Sequence, residues 1–163
     1  MLTREGSKVI EYNCRFGDPE AQTVLPLLRS DLFTILQATT NGTLDRAECE
    51  FSDEASCCVV LASGGYPEQY ETGKSIAGIL HAEKIADVYH AGTQLTENGK
   101  IMTAGGRVLG VTAVADTLPE AICHAYTAAK QISFEGMHMR ADIGRAAQEA
   151  VKPSVPKEAA HER

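Results

Sequence analysis

Glu11-Tyr12-Asn13-Cys14-Arg15-Phe16-Gly17-Asp18-Pro19-Glu20 gathers more committed chemistry into ten residues than any other stretch of the chain. Val9, Ile10 and Tyr12 favour extended backbone, so the spacing predicts a strand in which side chains two apart leave on one face. Glu11, Asn13 and Arg15 share that face. A carboxylate beside an amide carbonyl offers the hard oxygen ligands that Mg²⁺ takes at ~2.0–2.1 Å, with waters and substrate phosphates completing its octahedron. Arg15 continues the face, so an anion can bridge metal and guanidinium, as phosphoryl transfer requires. The same residues also describe an edge strand with polar side chains in water, ending at the Gly17-Asp18-Pro19 turn. Cys14 falls between the ligands and is expected on the opposite face as a small hydrophobe.

These ten residues resemble the metal-binding strand of the ATP-grasp ligases. Gly65-Tyr66-Pro67, His90-Ala91-Gly92-Thr93, Gly105-Gly106-Arg107-Val108-Leu109, Phe134-Glu135-Gly136 and Asp142-Ile143-Gly144 follow in order. The ordered set, over roughly residues 8–145, resembles one family within them, the phosphoribosylamine–glycine ligases. The resemblance implies an α+β fold: the C-terminal end of an ATP-grasp domain, then a small β-rich, barrel-like C-terminal domain with a packed helix. It implies an ATP-dependent carbon–nitrogen ligase of purine synthesis in the cytosol. In that reaction ATP phosphorylates the glycine carboxylate, and the amine of 5-phosphoribosylamine then attacks the acyl phosphate.

On the same resemblance, Glu11 and Asn13 hold Mg²⁺ or Mn²⁺ between the ATP phosphates, and Arg15 steadies the transferred group. Asp18 and Glu20 either orient Arg15 or meet the amine substrate. Gly105 and Gly106 allow close backbone approach, and Arg107 after them can reach an anion bidentately, which suits nucleotide or sugar phosphate. A tight turn with an ion-paired Arg is the plainer reading of those three residues.

Composition bounds the rest. With 163 residues, 44% of them hydrophobic, the chain can bury one sizeable core or two small ones. It has no run of ~18 apolar residues to span a bilayer and no basic-then-apolar start. A formal net charge of -7, with Lys and Arg scattered, argues against a nucleic-acid surface. Cys14, Cys49, Cys57, Cys58 and Cys123 lack zinc or disulfide spacing and suit a reducing compartment. Cys57 and Cys58 read as alternately buried strand residues. His81, His90, His124 and His138 share no metal-ligand spacing, and no Gly-x-Ser-x-Gly or Walker loop is present.

Along the chain, residues 1–8 predict a short strand and a turn, with residues 1–3 beside the metal strand. Residues 20–28 predict a short helix interrupted by Pro26. Ser30 is the expected cap of a second helix with Leu32, Ile35, Leu36 and Thr39 on one stripe and Asn41-Gly42 as its stop. The acidic run over residues 43–56 marks an internal boundary. Beyond it, residues 57–63 predict a buried strand, Gly64-Gly65-Tyr66-Pro67 a turn, and the stretch to Lys74 irregular structure. Residues 87–95 and 100–104 flank Asn98-Gly99, a hairpin signal of type I′, which needs positive φ at both residues. Residues 106–115 predict a continuous apolar strand. Asp116 or Thr117 caps a helix with Leu118, Ile122, Ala125, Ala129 and Ile132 on one face. Short extended pieces and an Ala-rich helix follow, and residues 153–163 read as a polar tail or linker.

The expected domains are residues 1–54 as the end of the ATP-grasp domain, 55–151 as the C-terminal domain, and 152–163 as the tail. The glycine-rich phosphate-covering loop, the adenine pocket and the N-terminal substrate domain are expected upstream. Later purine-pathway domains are a possible fusion beyond the tail. The chain alone is therefore expected to be incomplete and inactive. The alternatives are another ATP-grasp carboxylate–amine ligase, told apart by its substrate, and a truncated non-catalytic interaction module, told apart by pull-down and sizing.

Overall fold

The computed structural model describes residues 1–3 and 5–147. The chain divides into two units, Met1–Asp53 and Glu54–Arg163. In the first, β1 (Leu2–Thr3) and β2 (Gly6–Ser7) pair antiparallel, Leu2 opposite Ser7 and Thr3 opposite Gly6. The Lys8 N–H donates to the Met1 carbonyl at 2.9 Å and closes that ladder.

Residues 9–14, expected as a strand with residues 1–3 as neighbour, form no strand. Residues 1–3 pair with 6–8 instead. Val9, Ile10, Tyr12 and Phe16 remain 68%, 68%, 81% and 57% exposed, and Cys14 is exposed rather than buried. The physical reason is pairing: an extended segment becomes a strand when a neighbour takes its backbone N–H and C=O groups, and no described segment does so. In a hydrogen-exchange experiment on the verified monomer, amides 9–14 should exchange rapidly while those of Val59, Leu61 and Val111 exchange slowly. Strong protection at 9–14 would contradict this arrangement.

The remainder of the first unit is helical. α1 (Glu20–Val24) runs into a tight turn, Leu25–Leu27, that contains Pro26. α2 (Leu32–Asn41) is capped by Asp31, whose carboxylate accepts the Thr34 N–H at 3.2 Å. Ser30 is not the cap; its hydroxyl accepts the Glu50 N–H at 2.8 Å. Asp and Ser cap about equally well, so the longer-range bond from Glu50 decides between them. Ala38 is the one buried α2 residue, and Leu36 is 47% exposed.

The second unit holds the main core. β3 (Ala55–Ala62), β4 (Asp87–His90) and β7 (Arg107–Ala115) form an antiparallel sheet in the order β3-β7-β4, with α3 (Ile79–Ala82) between β3 and β4 in the chain. β5 (Thr93–Leu95) and β6 (Ile101–Thr103) form a separate antiparallel pair. Between them Gly99 takes φ 74°, and its N–H donates to the Thr96 carbonyl at 2.9 Å. Asn98 does not take positive φ, so the hairpin closes with one left-handed glycine rather than the type I′ pair.

Strand alternation explains the core. Cys57, Val59 and Leu61 lie opposite Ala113, Val111 and Leu109 on one sheet face, all of them buried. α4 (Leu118–Ala129) joins the same core with Ala121, Ile122, Ala125, Ala128 and Ala129, and its small alanines allow close approach to the strands. Thr117 caps α4, its hydroxyl oxygen accepting the Glu120 N–H at 3.4 Å. Cys58 is buried on the opposite sheet face from Cys57. Burial and the neighbouring Cys58 push the Cys57 thiol up to about 11, so it is a packing residue rather than a nucleophile. Among the described residues, no helix is long and apolar enough to cross a membrane. The polar tail expected at 152–163, and the end of the Ala-rich helix before it, lie outside the described residues.

Candidate functional site

Two groups of candidate residues stand in separate units. In the first unit Glu11 and Asn13 come together: Asn13 Nδ2 donates to Glu11 Oε1 at 3.4 Å, at the surface. Arg15 and Glu20 converge over Gly17. A Cβ built on Gly17 would run into the Glu20 carboxylate and lie 3.0 Å from Arg15 Nη1. Glu20 opens α1 and so places an acidic group in its first turn. Asp18 is held one turn away, where its Oδ1 accepts from Gln22 Nε2 at 2.8 Å. The chemistry displayed is therefore a carboxylate–amide pair followed by a guanidinium with the Glu20 carboxylate nearby. Among the described residues, no cluster of three or more His, Cys, Asp or Glu gathers as a metal site.

In the second unit, four quoted motifs converge at one end of the three-stranded sheet, where β3 and β4 finish and β7 begins. The Gly92 N–H donates to the Arg107 carbonyl at 2.8 Å, and a Cβ on Gly92 would lie 2.7 Å from Gly105 Cα. The Ser63 N–H donates to the Gly106 carbonyl at 2.8 Å, and Ser63 Oγ donates to the Gly105 carbonyl at 2.9 Å. A Cβ on Gly64 would lie 2.8 Å from the Gly136 carbonyl. The glycines of this region thus give room to protein neighbours: Gly92 against Gly105, and Gly106 beneath the ring of Tyr66. Arg107 Nε donates to the Tyr66 hydroxyl at 2.9 Å. Asp142-Ile143-Gly144 lies elsewhere, against α4, where the Ile143 N–H donates to the Tyr126 hydroxyl at 3.0 Å.

The turn and irregular stretch expected over residues 64–74 are present, but sequence reading assigned no side-chain partners to Tyr66, Tyr70 or Lys74. Tyr66 and Tyr70 meet with ring centroids 6.0 Å apart. The Lys74 ammonium pairs with Glu71 at 2.8 Å and Glu135 at 3.2 Å. Hydrogen bonds to Glu71 and then Glu135 raise the Lys74 pKa, and the Lys74 hydrogen bond lowers that of Glu71. The available signal was two tyrosines four residues apart within a glycine-flanked loop.

Residues 56–146 match the family model described as phosphoribosylglycinamide synthetase, C domain. The chain is similar to the phosphoribosylamine–glycine ligase of Caldanaerobacter subterraneus subsp. tengcongensis, 50% identical over 143 residues, which are 88% of this chain and 34% of that protein. It is similar to the human trifunctional purine biosynthetic protein adenosine-3, 46% identical over 146 residues, 88% of this chain and 14% of that protein. Among solved structures it resembles phosphoribosylamine–glycine ligase from Thermotoga maritima, with a TM-score of 0.72 and 33% identity, covering 87% of this chain and 34% of that one. The chain spans about a third of the length of the ligases it matches.

Proposed function

The chain belongs to the phosphoribosylglycinamide synthetase family, and on that premise we propose that it works as part of a phosphoribosylamine–glycine ligase. The reaction is the ATP-dependent joining of glycine to 5-phosphoribosylamine in purine synthesis. The glycine carboxylate takes the terminal phosphoryl group of ATP, giving glycyl phosphate and ADP. The amine of phosphoribosylamine then attacks the acyl carbon and expels inorganic phosphate, leaving glycinamide ribonucleotide. The observation that carries this reading is 50% identity to such a ligase over 88% of the chain.

On this reading residues 1–54 close the ATP-grasp domain, residues 55–151 are the barrel-like C-terminal domain and residues 152–163 a tail or linker. Glu11 and Asn13 would hold a magnesium or manganese ion, and the donor chemistry fits: a carboxylate and an amide side by side at the surface. When bound, the ion supplies neutralisation of phosphate charge. Arg15 pairs with the transferred phosphoryl group through its guanidinium, and Glu20 beside it keeps that guanidinium turned toward the anion. Asp18 meets the incoming amine. Arg107, with Gly105 and Gly106, contacts the phosphate of the nucleotide or the sugar. Exposed thiols at Cys14, Cys49 and Cys123 suit the cytosol, where they stay reduced. The human relative is a trifunctional purine biosynthetic protein, and fusion to later purine-pathway domains is an arrangement this chain can share.

The test is ADP release with ATP, glycine and phosphoribosylamine. A complete ligase with these 163 residues in the matching third should turn over at ordinary rates of ~1–10 s⁻¹. The 163 residues alone should give almost none, since phosphoryl transfer depends on positioning both sides of the cleft. An inactive chimera that folds would remove the proposed function. Turnover by the chain alone would remove the claim that it needs the remainder of the cleft.

A further inference from the structure

We propose that Tyr66 is a positioning residue for Arg107, its hydroxyl setting the direction in which the guanidinium meets a phosphate group. The proposal rests on the reading of Arg107 as an anion contact. The Tyr66 hydroxyl accepts the Arg107 Nε–H at 2.9 Å across 41 residues of sequence. A guanidinium is planar, so a bond at Nε fixes the plane in which its two terminal nitrogens lie.

The hydroxyl is itself held. The Tyr66 ring lies over Gly106, where any Cβ would strike it and would also come within 3.0 Å of Tyr70 Cε1. The Arg107 guanidinium carbon is 6.0 Å from the centre of the Tyr66 ring, so the hydrogen bond rather than the ring face is the close contact. Both ends of the loop that carries Tyr66 are tied to the strand region around Arg107. At one end Ser63 donates to the Gly105 and Gly106 carbonyls at 2.9 and 2.8 Å. At the other, the Gly73 N–H donates to the Thr103 carbonyl at 2.6 Å and the Lys74 N–H to the Thr103 hydroxyl at 3.0 Å, with Thr103 2% exposed. Lys74 adds its ion pair with Glu135 at 3.2 Å.

A loop fastened this way limits the freedom of a side chain that would otherwise lose several rotamers on binding. Packing over Gly106 needs only the aromatic ring. The hydroxyl is the part of Tyr66 that packing does not require and that Arg107 uses.

The experiment is a double-mutant cycle in a complete ligase carrying this segment, with KM for ATP and for phosphoribosylamine measured separately. Arg107→Ala should raise one of the two KM values about 10- to 100-fold, the loss of hydrogen bonds to a charged group. Tyr66→Phe should raise the same KM about tenfold, leave kcat within about twofold and leave the melting temperature unchanged. Tyr66→Phe combined with Arg107→Ala should be no worse than Arg107→Ala alone. The KM that moves tells nucleotide phosphate from sugar phosphate. If Arg107→Ala moves neither KM, the anion-contact reading itself is overturned. If Arg107→Ala moves a KM while Tyr66→Phe is silent, or its effect simply adds in the double variant, Arg107 keeps its role and the positioning role of Tyr66 is overturned.

Discussion

Replacing Glu11 with Gln in a complete ligase that carries this segment should lower kcat and kcat/KM together by at least ~10–100-fold, the loss typical of outer partners at metal sites and a floor for a direct carboxylate. The substitution keeps the size of the side chain and its place beside Asn13, whose Nδ2 approaches Glu11 Oε1 at 3.4 Å. What disappears is one negative charge facing a divalent cation and the ATP phosphates. Affinity for the cation then falls, so the Mg²⁺ concentration at half-maximal rate should rise, and added Mg²⁺ should recover part of the rate. A solvated surface Glu with no such task would behave differently, changing stability by less than ~0.5 kcal/mol and turnover not at all. Steady-state kinetics across a Mg²⁺ titration separates the two outcomes. Unchanged kcat and unchanged metal dependence in a folded Glu11→Gln enzyme would withdraw the metal role of Glu11 and Asn13, and most of the proposed mechanism with it.

Leu61→Ala should destabilise the second unit by about 2–5 kcal/mol, the range for removing a buried leucine and leaving part of its volume empty. Leu61 is 0% exposed and faces Leu109, 1% exposed, across the β3–β7 pair. Both belong to the cluster that α4 completes, so the hole opens where sheet and helix meet. Urea unfolding followed by far-ultraviolet circular dichroism should show a lower midpoint with an unchanged slope. Leu80→Ala is the control: Leu80 is 76% exposed, and its truncation should stay within about 0.5 kcal/mol. Equal effects of the two substitutions would mean that the core is not where β3, β7 and α4 put it.

The two groups of candidate residues, one in each unit, were legible to different depths. Glu11 and Asn13 could be placed side by side from spacing alone, because side chains two apart are neighbours wherever the backbone is extended. The contact between Glu11 and Asn13 follows from it. The pairing of Arg107 with Tyr66 was not legible, since the partners stand 41 residues apart and no local pattern announces which tyrosine will reach which arginine. The paired glycines at 105 and 106 suggested room for a ligand. In the folded chain that room is occupied at Gly106 by the Tyr66 ring and at Gly105 by Gly92, so the loop is built by protein groups before any ligand arrives.

The sequence by itself determined what depends on a few adjoining residues. A cap at Asp116 or Thr117 and the apolar period placed α4, which Thr117 caps, the apolar run before Ser63 placed β3, and Asn98-Gly99 placed the hairpin between β5 and β6. Such signals act through backbone propensity and capping within about one helical turn or one strand pair. Only the tertiary structure decided the rest. Ser30 and Asp31 are equally good caps, and the choice fell to Asp31 because Ser30 receives the Glu50 N–H. Residues 9–14 have the composition of a strand and form none, because a strand is a pairing between segments and not a property of one. Four motifs scattered between residues 65 and 136 meet at one end of a sheet for the same reason: closing those loops takes long-range contacts, and their free energy comes from burying the β3–β7–α4 core rather than from any motif itself.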